Sequence, residues 1–222
     1  AHSFGVSIRL PFETSANPVI SGDSKLVSMK YFFTRKLMLM KESAGFVALP
    51  GGFGTLDETF ELLTLQQTGK SVPAPIVLLD TPGGRYWHAL QEFVDSQLVT
   101  VGLISPDDRR LYKITDDVTE ARREIVGFYR NYHSIRWVGD TLVMRLKADP
   151  TDADLAMLNE QFAHLCDGGS IVRTAPLPAE VSSKDLLHLP RIAMPFHAFR
   201  VSALRILIDA VNALPSALQL PD

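Results

Sequence analysis

The chain of 222 residues has very little cysteine, no long hydrophobic run and no excess of positive charge. A single cysteine, Cys166, excludes an internal disulfide and a cluster of thiolate metal ligands. The apolar runs are far shorter than the roughly 18 residues that a membrane helix needs, which excludes an association through a membrane span. The formal charge of −3, with 22 Lys and Arg, gives no basic surface for a nucleic acid polymer. We therefore expect a globular, cytoplasmic protein.

The side chains that most often bind metals are few and scattered. The six histidines form no HxH or HxxxH pair, which are spacings typical of zinc ligands. A buried structural thiol is a better interpretation of Cys166 than a nucleophile, because no pattern pairs it with a histidine. The sequence therefore predicts no metal site and no cofactor.

Strand-like and helix-like segments alternate over the first 130 residues or so. Apolar, β-rich segments lie near residues 3–10, 45–49, 75–80 and 111–116, and helical spacing of apolar residues lies near 25–41, 56–68, 86–99 and 117–132. This alternation is typical of parallel strands joined by crossover helices. The sequence predicts an α/β fold, the C-terminal part of a Rossmann-like, doubly wound parallel sheet.

The pattern changes after about residue 131. Gly139 and Asp140 separate two strand-like segments and suit a two-residue primed turn, so a β-hairpin is expected there. A helix near 152–165, two further strand-like segments and a closing helix near 200–214 follow. We interpret residues 1–131 as a Rossmann-like nucleotide-binding domain and residues 132–222 as a small α+β domain.

Residues 50–58 read PGGFGTLDE and directly follow the apolar segment AGFVAL. A glycine-rich turn between a buried strand and a helix directs several backbone N–H groups, and the positive end of the helix dipole, at one point. Glycine suits such a turn because a Cβ atom would hold an anion away from the backbone. The loop is therefore predicted to bind phosphate, although it lacks the lysine of a Walker loop.

Two charged features near this loop each have two interpretations. TLDE fits a capping box, with Thr55 as N-cap and Glu58 reaching back to it, but a carboxylate one turn from a phosphate could instead act on an attached ribose. Arg35 and Lys36 could be a solvated basic pair on a helix, or Arg35 could bind the phosphate with both guanidinium nitrogens. The residues alone leave both alternatives open.

PGGFGTLDE matches the PGGxGTxxE motif of the LONELY GUY family, and Arg35–Lys36 matches that family's second signature. The chain resembles these cytokinin riboside 5′-monophosphate phosphoribohydrolases, long mislabelled as lysine decarboxylases, over about residues 1–130. YFFTRK, TLQQTGK and PIVLLD are similar to the longer bacterial branch. The resemblance implies a metal-free hydrolase that cleaves the N-glycosidic bond of a nucleoside 5′-monophosphate, giving free base and ribose 5-phosphate.

The resemblance also implies roles for individual residues. Arg35 and Glu58 match the positions regarded as catalytic, and the phosphate would be bound by Gly51, Gly52, Gly54 and Thr55, with help from Lys36. Family members are usually homodimers, so a homodimer is expected. The family's first strands have no counterpart in this sequence, and we therefore expect the N-terminal part of the domain to be lacking. A non-catalytic module that binds or carries a nucleotide or a nucleotide-like cofactor is the alternative function.

Overall fold

The computed structural model describes residues 2–8, 16–196 and 201–218 of the chain. The chain divides into two compact units, Ala1–Ala44 and Gly45–Asp222. In the first unit, strand β1 (Gly5–Ile8) pairs in parallel with strand β2 (Leu26–Met29), and helix α1 (Phe32–Lys41) follows.

The single helix that the spacing predicts over residues 25–41 is wrong in its first part. Leu26–Met29 forms the whole of β2, and α1 begins only after Tyr31, whose backbone is extended. The spacing of Leu26 suits a helix, but four consecutive residue pairs align this segment with β1. Tertiary pairing overrides the local pattern here, as it often does for short apolar segments.

Helix α1 carries an unusually apolar exposed surface. None of its residues is buried, and four large apolar side chains are exposed: Phe32, Phe33, Leu37 and Met38. Exposed apolar patches on soluble proteins often mark surfaces that bind another protein. The homodimer expected from the family resemblance stays a prediction, which this surface favours.

The second unit begins with a parallel sheet in the order β3-β4-β5. The predicted alternation of strands and helices is confirmed from here onward. Its elements are β3 (Phe46–Ala48), α2 (Phe53–Gln67), β4 (Ile76–Leu79), α3 (Tyr86–Phe93), a π-helical turn (Val94–Val99), a 3-10 helix (Pro106–Leu111), β5 (Lys113–Thr115) and α4 (Val118–Phe128).

Helices cover both faces of the parallel sheet. Ile76 and Leu78 of β4 form a small core with the buried ring of Trp87 and with apolar side chains from α2 and α3. Val77 lies between Ile76 and Leu78 in β4, so its side chain points to the opposite face of the sheet. It is fully buried as well, and α4 contacts β4 and β5. A strand buried on both faces reads as a continuous apolar run, as PIVLLD does.

The rest of the second unit is built on an antiparallel sheet in the order β6-β7-β9-β8. The predicted hairpin is confirmed, and Gly139 in its turn has a φ of +60°, which favours glycine. The elements are β6 (Tyr132–Val138), β7 (Thr141–Leu146), α5 (Asp152–Phe162), a 3-10 turn (Ala163–Leu165), β8 (Val172–Arg173), α6 (Pro178–Ser183), β9 (Arg191–Pro195) and α7 (Val201–Ala213).

One face of the antiparallel sheet packs on α5 and α7 in the larger of the two cores. The predicted boundary near residue 131 falls between α4 and β6, where the parallel sheet ends and the antiparallel sheet begins. Both sheets belong to the same compact unit. The division into two domains at that residue stays a prediction.

A charged cluster lies on β7, β9 and α6. Glu180 is fully buried and accepts hydrogen bonds of 2.7 and 3.0 Å from Arg145, and its Oε1 lies 2.7 Å from Nη1 of Arg191. Asp185 accepts a second bond from Arg145, at 2.7 Å. Burial alone would raise the pKa of Glu180, but the hydrogen bonds from Arg145 and from the Leu177 N–H, together with the positive charge of Arg191, hold that pKa below its usual value.

A second buried carboxylate, Asp108, connects the parallel sheet to α7. It lies in the 3-10 helix Pro106–Leu111 and caps its start by accepting a bond from the Ser105 N–H at 2.8 Å. It also accepts a bond of 2.6 Å from Gln67 at the end of α2, and a bond from the hydroxyl of Ser202 on α7. One side chain therefore ties three segments of the second unit together.

Across the residues that the structure describes, no helix combines the length and the apolar character required to cross a membrane.

Candidate functional site

The predicted phosphate loop lies where the sequence places it, between a strand and a helix. Strand β3 ends at Ala48, and α2 begins at Phe53 with Gly52 as its N-cap. Gly51, Gly52 and Gly54 therefore surround the N-terminus of α2 at the carboxyl end of β3. This is the position at which parallel α/β sheets bind ligands.

The capping-box interpretation of Glu58 is wrong. It requires Thr55 at the N-cap, whereas the helix begins before Thr55 and has Gly52 as its N-cap residue. Thr55 and Glu58 instead lie inside the helix, one turn apart along the same side. A capping box with Thr55 therefore does not account for the glutamate, which is half-buried.

The three glycines of the loop have different surroundings. A Cβ atom on Gly51 would lie 2.3 Å from the hydroxyl oxygen of Thr55, so only glycine fits there without a shift. A Cβ atom on Gly52 or Gly54 would meet nothing within 4 Å. Because the first N–H groups of a helix have no partner inside the helix, the open space beside Gly52 and Gly54 is suited to an anion.

Tyr86 is a residue of this site that the sequence analysis missed. Its hydroxyl donates a hydrogen bond of 2.7 Å to the carbonyl oxygen of Gly51. Tyr86 is the first residue of α3, directly after the TPGGR loop that follows β4. That loop and the glycine loop leave the same edge of the sheet, because β3 and β4 are parallel. This shared edge is the feature of the sequence pattern that could have indicated a role for Tyr86.

The loop between β4 and α3 is itself held by carboxylates. Asp80 is almost fully buried and accepts a bond of 2.8 Å from the Thr81 N–H, and Asp116 accepts one of 2.8 Å from the Gly83 N–H. A Cβ atom on Gly84 would lie 2.2 Å from Asp80 Oδ1, so this glycine allows a close approach. Hydrogen bonds to two carboxylates therefore hold the backbone of the loop that leads to Tyr86.

Arg35 and Lys36 lie on α1 in the first unit, whereas the glycine loop and Glu58 belong to the second. Nε of Arg35 donates a bond of 3.0 Å to the carbonyl oxygen of Val6 in β1. This bond orients the guanidinium group relative to the small parallel sheet of the first unit. The roles of both residues in binding phosphate stay predictions.

Within the described parts of the chain, no three His, Cys, Asp or Glu side chains are grouped so that they could bind a metal ion. A cavity of about 610 Å³ lies in the second unit near the ends of α2 and α5. Its lining includes Gln67, Asp108, His164 and Ser202, and none of the residues predicted from the motifs.

Comparison with known proteins gives a family and several partial relatives. The sequence profile of the family described as "Possible lysine decarboxylase" matches residues 2–125. The chain is 34% identical over 101 residues to the cytokinin riboside 5′-monophosphate phosphoribohydrolase LOG7 of Arabidopsis thaliana, covering 46% of this chain and 45% of that protein. It is 43% identical over 77 residues to rice LOGL3 (Oryza sativa subsp. japonica), named a probable enzyme of the same activity, with 35% of each chain covered.

The aligned regions span less than half the length of these relatives. The family profile, in contrast, covers more than half of this chain, and the matched segment contains both motifs and all the parallel strands. The chain therefore belongs to the "Possible lysine decarboxylase" family, which includes the LONELY GUY proteins.

Proposed function

We propose that this protein is a hydrolase that cleaves the N-glycosidic bond of a nucleoside 5′-monophosphate, giving free base and ribose 5-phosphate. The observation that carries the proposal is the N-terminus of α2, whose N-cap residue Gly52 has no side chain and where there is open space beside Gly52 and Gly54. Backbone N–H groups and the helix dipole favour a phosphate at such a place. The names of the relatives support the same class of substrate.

Binding energy from the phosphate would hold the ribose in place for the reaction. The 5′-phosphate binds the N–H groups at Gly52 and Gly54, with the Thr55 hydroxyl, Arg35 and Lys36 as further donors. Interactions with a part of the substrate that does not react restrict its motion, and this lowers the entropic cost of reaching the transition state. Gly51 contributes by allowing Thr55 to lie close to the loop.

Glu58 would act on the sugar. As the bond from C1′ to the base nitrogen breaks, the base leaves with the electron pair and positive charge develops on the ribose ring. A carboxylate stabilises that charge and orients the water whose oxygen forms the new bond to C1′. The water gives up its proton, and the departing base takes up a proton. No metal ion is required for these steps.

The test is to incubate the full-length protein with AMP, CMP and GMP and to measure free base by chromatography. We expect one or more of these nucleotides to yield base and ribose 5-phosphate in equal amounts, and the corresponding nucleosides to react far more slowly because they lack the phosphate. Binding of a nucleotide without release of base would instead support the alternative, a module that binds or carries a nucleotide. Absence of both binding and release would contradict both functions.

Replacing Arg35 with alanine is expected to weaken binding of a nucleoside 5′-monophosphate by about tenfold or more, because a charge-assisted hydrogen bond to phosphate is lost. Binding of the nucleoside should hardly change. Calorimetric titration with AMP and with adenosine measures the difference. Lys41→Ala, at the other end of α1, is the matched control for loss of one positive charge. If Arg35→Ala weakened the binding of AMP and of adenosine equally, the proposed role of Arg35 in binding the phosphate would be contradicted.

A further inference from the structure

We propose that Tyr86 is a positioning residue that holds the peptide between Gly51 and Gly52 in the orientation that binds the phosphate. The proposal depends on one contact, the 2.7 Å hydrogen bond from the Tyr86 hydroxyl to the Gly51 carbonyl oxygen. It rests on the proposed function, because it concerns the phosphate that the glycine loop is proposed to bind.

Because the peptide is planar and trans, the bond to the Gly51 carbonyl also fixes the direction of the Gly52 N–H. The C=O of Gly51 and the N–H of Gly52 belong to one planar unit and point in opposite directions. When Tyr86 binds the carbonyl oxygen, the Gly52 N–H must point away from Tyr86. The space beside the Gly52 Cα atom is also open, because a Cβ atom there would meet nothing within 4 Å. A hydrogen bond accepted by the carbonyl also polarises the peptide and strengthens its N–H as a donor.

This peptide needs such a restraint because glycine lies on both sides of it. Without a Cβ atom at either residue, rotation of the peptide plane meets little steric resistance. A rotated peptide would turn the Gly51 carbonyl oxygen towards the phosphate and would replace an attraction with a repulsion. The hydrogen bond from the Tyr86 hydroxyl to the Gly51 carbonyl oxygen supplies this restraint.

Tyr86 is itself held firmly. The next residue, Trp87, is fully buried, and its Nε1 donates a bond of 3.2 Å to the carbonyl oxygen of Leu79 in β4. The rings of Tyr86 and Trp87 meet edge to face, with centroids 4.7 Å apart. The position of the Tyr86 hydroxyl is thus fixed by the core of the parallel sheet, which also carries the strand before the glycine loop.

The test is the substitution Tyr86→Phe, which removes the hydroxyl and keeps the ring. We expect the Kd for AMP and for inorganic phosphate to rise about tenfold, and the Kd for adenosine to stay within about twofold. The thermal midpoint should stay close to that of the wild type. Tyr112→Phe is the matched control, because it removes another hydroxyl bond of 2.7 Å, to Gln91, in the same unit.

A second measurement follows the peptide directly. In ¹H–¹⁵N spectra of the ligand-free protein, Tyr86→Phe should shift and broaden the Gly52 amide signal as the peptide begins to rotate, whereas Tyr112→Phe should leave it unchanged. A merely structural role for Tyr86 would lower the thermal midpoint and weaken AMP and adenosine binding alike. Unchanged AMP affinity would overturn the proposal, and so would an unchanged Gly52 signal.

Failure of the proposed function gives a different result. If the wild-type protein binds AMP but releases no base, and Tyr86→Phe weakens that binding tenfold, the hydrolase is contradicted and the role of Tyr86 stands. If the wild-type protein releases base and Tyr86→Phe binds AMP as tightly as the wild type, the role of Tyr86 fails alone. A wild-type protein that binds neither AMP nor inorganic phosphate overturns both.

Discussion

Replacing Glu58 with glutamine is expected to lower kcat for hydrolysis of a nucleoside 5′-monophosphate by about a hundredfold or more, with the Kd for the nucleotide unchanged or lower. The substitution keeps the size of the side chain and removes its charge, which stabilises the sugar only as the glycosidic bond breaks. Removing a negative charge near the phosphate also reduces repulsion in the bound state. Steady-state kinetics and calorimetric titration measure the two quantities separately.

Asp57→Asn is the matched control for this experiment, because it removes the charge of the exposed neighbouring carboxylate on α2. It should leave kcat within about threefold of the wild-type value. A Glu58→Gln protein that turns over at the wild-type rate would contradict the catalytic role. Since Gly52 and not Thr55 is the N-cap of α2, loss of a capping box between Thr55 and Glu58 cannot serve as the explanation of a change in activity.

Replacing Glu180 with alanine is expected to lower the free energy of unfolding by about 3–5 kcal/mol, because it leaves Arg145 and Arg191 buried without their shared carboxylate. The matched control is Glu92→Ala. Glu92 forms an ion pair of similar length, 2.9 Å, with Arg85, but both of those side chains are largely exposed. That substitution should cost less than about 1 kcal/mol. Urea unfolding followed by circular dichroism measures both.

The same glutamate should make stability depend on pH. Its pKa in the folded protein lies below the ordinary value, so its contribution is complete above the ordinary carboxyl pKa and is lost as the pH falls through the lowered one. Wild-type stability should therefore fall more steeply in acid than that of Glu180→Gln. Equal acid sensitivity of the two proteins would mean that the ion pairs of Glu180 add nothing to folding.

The sequence predicts the glycine loop and the hairpin because short-range chemistry determines both. Gly139 adopts the positive φ that its turn requires, and the three glycines of the loop follow an apolar strand directly. The start of α2 was misplaced for a related reason. Glycine is a poor helix former, so the pattern indicates a helix only from Leu56, although the helix begins at Phe53.

Contacts between distant residues could not be predicted in this way. Tyr86 and Gly51 are 35 residues apart, and Arg145 and Glu180 are also 35 residues apart. No periodicity or capping signal links such pairs, because each depends on how whole strands and helices pack. Strand β2 was missed for the same reason, since its pairing with β1 decides its conformation.

Asp108 has a consequence for how the protein is made. The carboxylate joins Gln67 at the end of α2 to Ser202 on α7, and Ser202 follows Asp108 by 94 residues. At roughly 5–20 residues per second, a ribosome needs about 5–20 s to synthesise that stretch. During this interval α2 and Asp108 have been synthesised, but Ser202 on α7 has not. The nascent chain can therefore form the parallel strands early, but the bond between Asp108 and Ser202 forms only after α7 has left the ribosome.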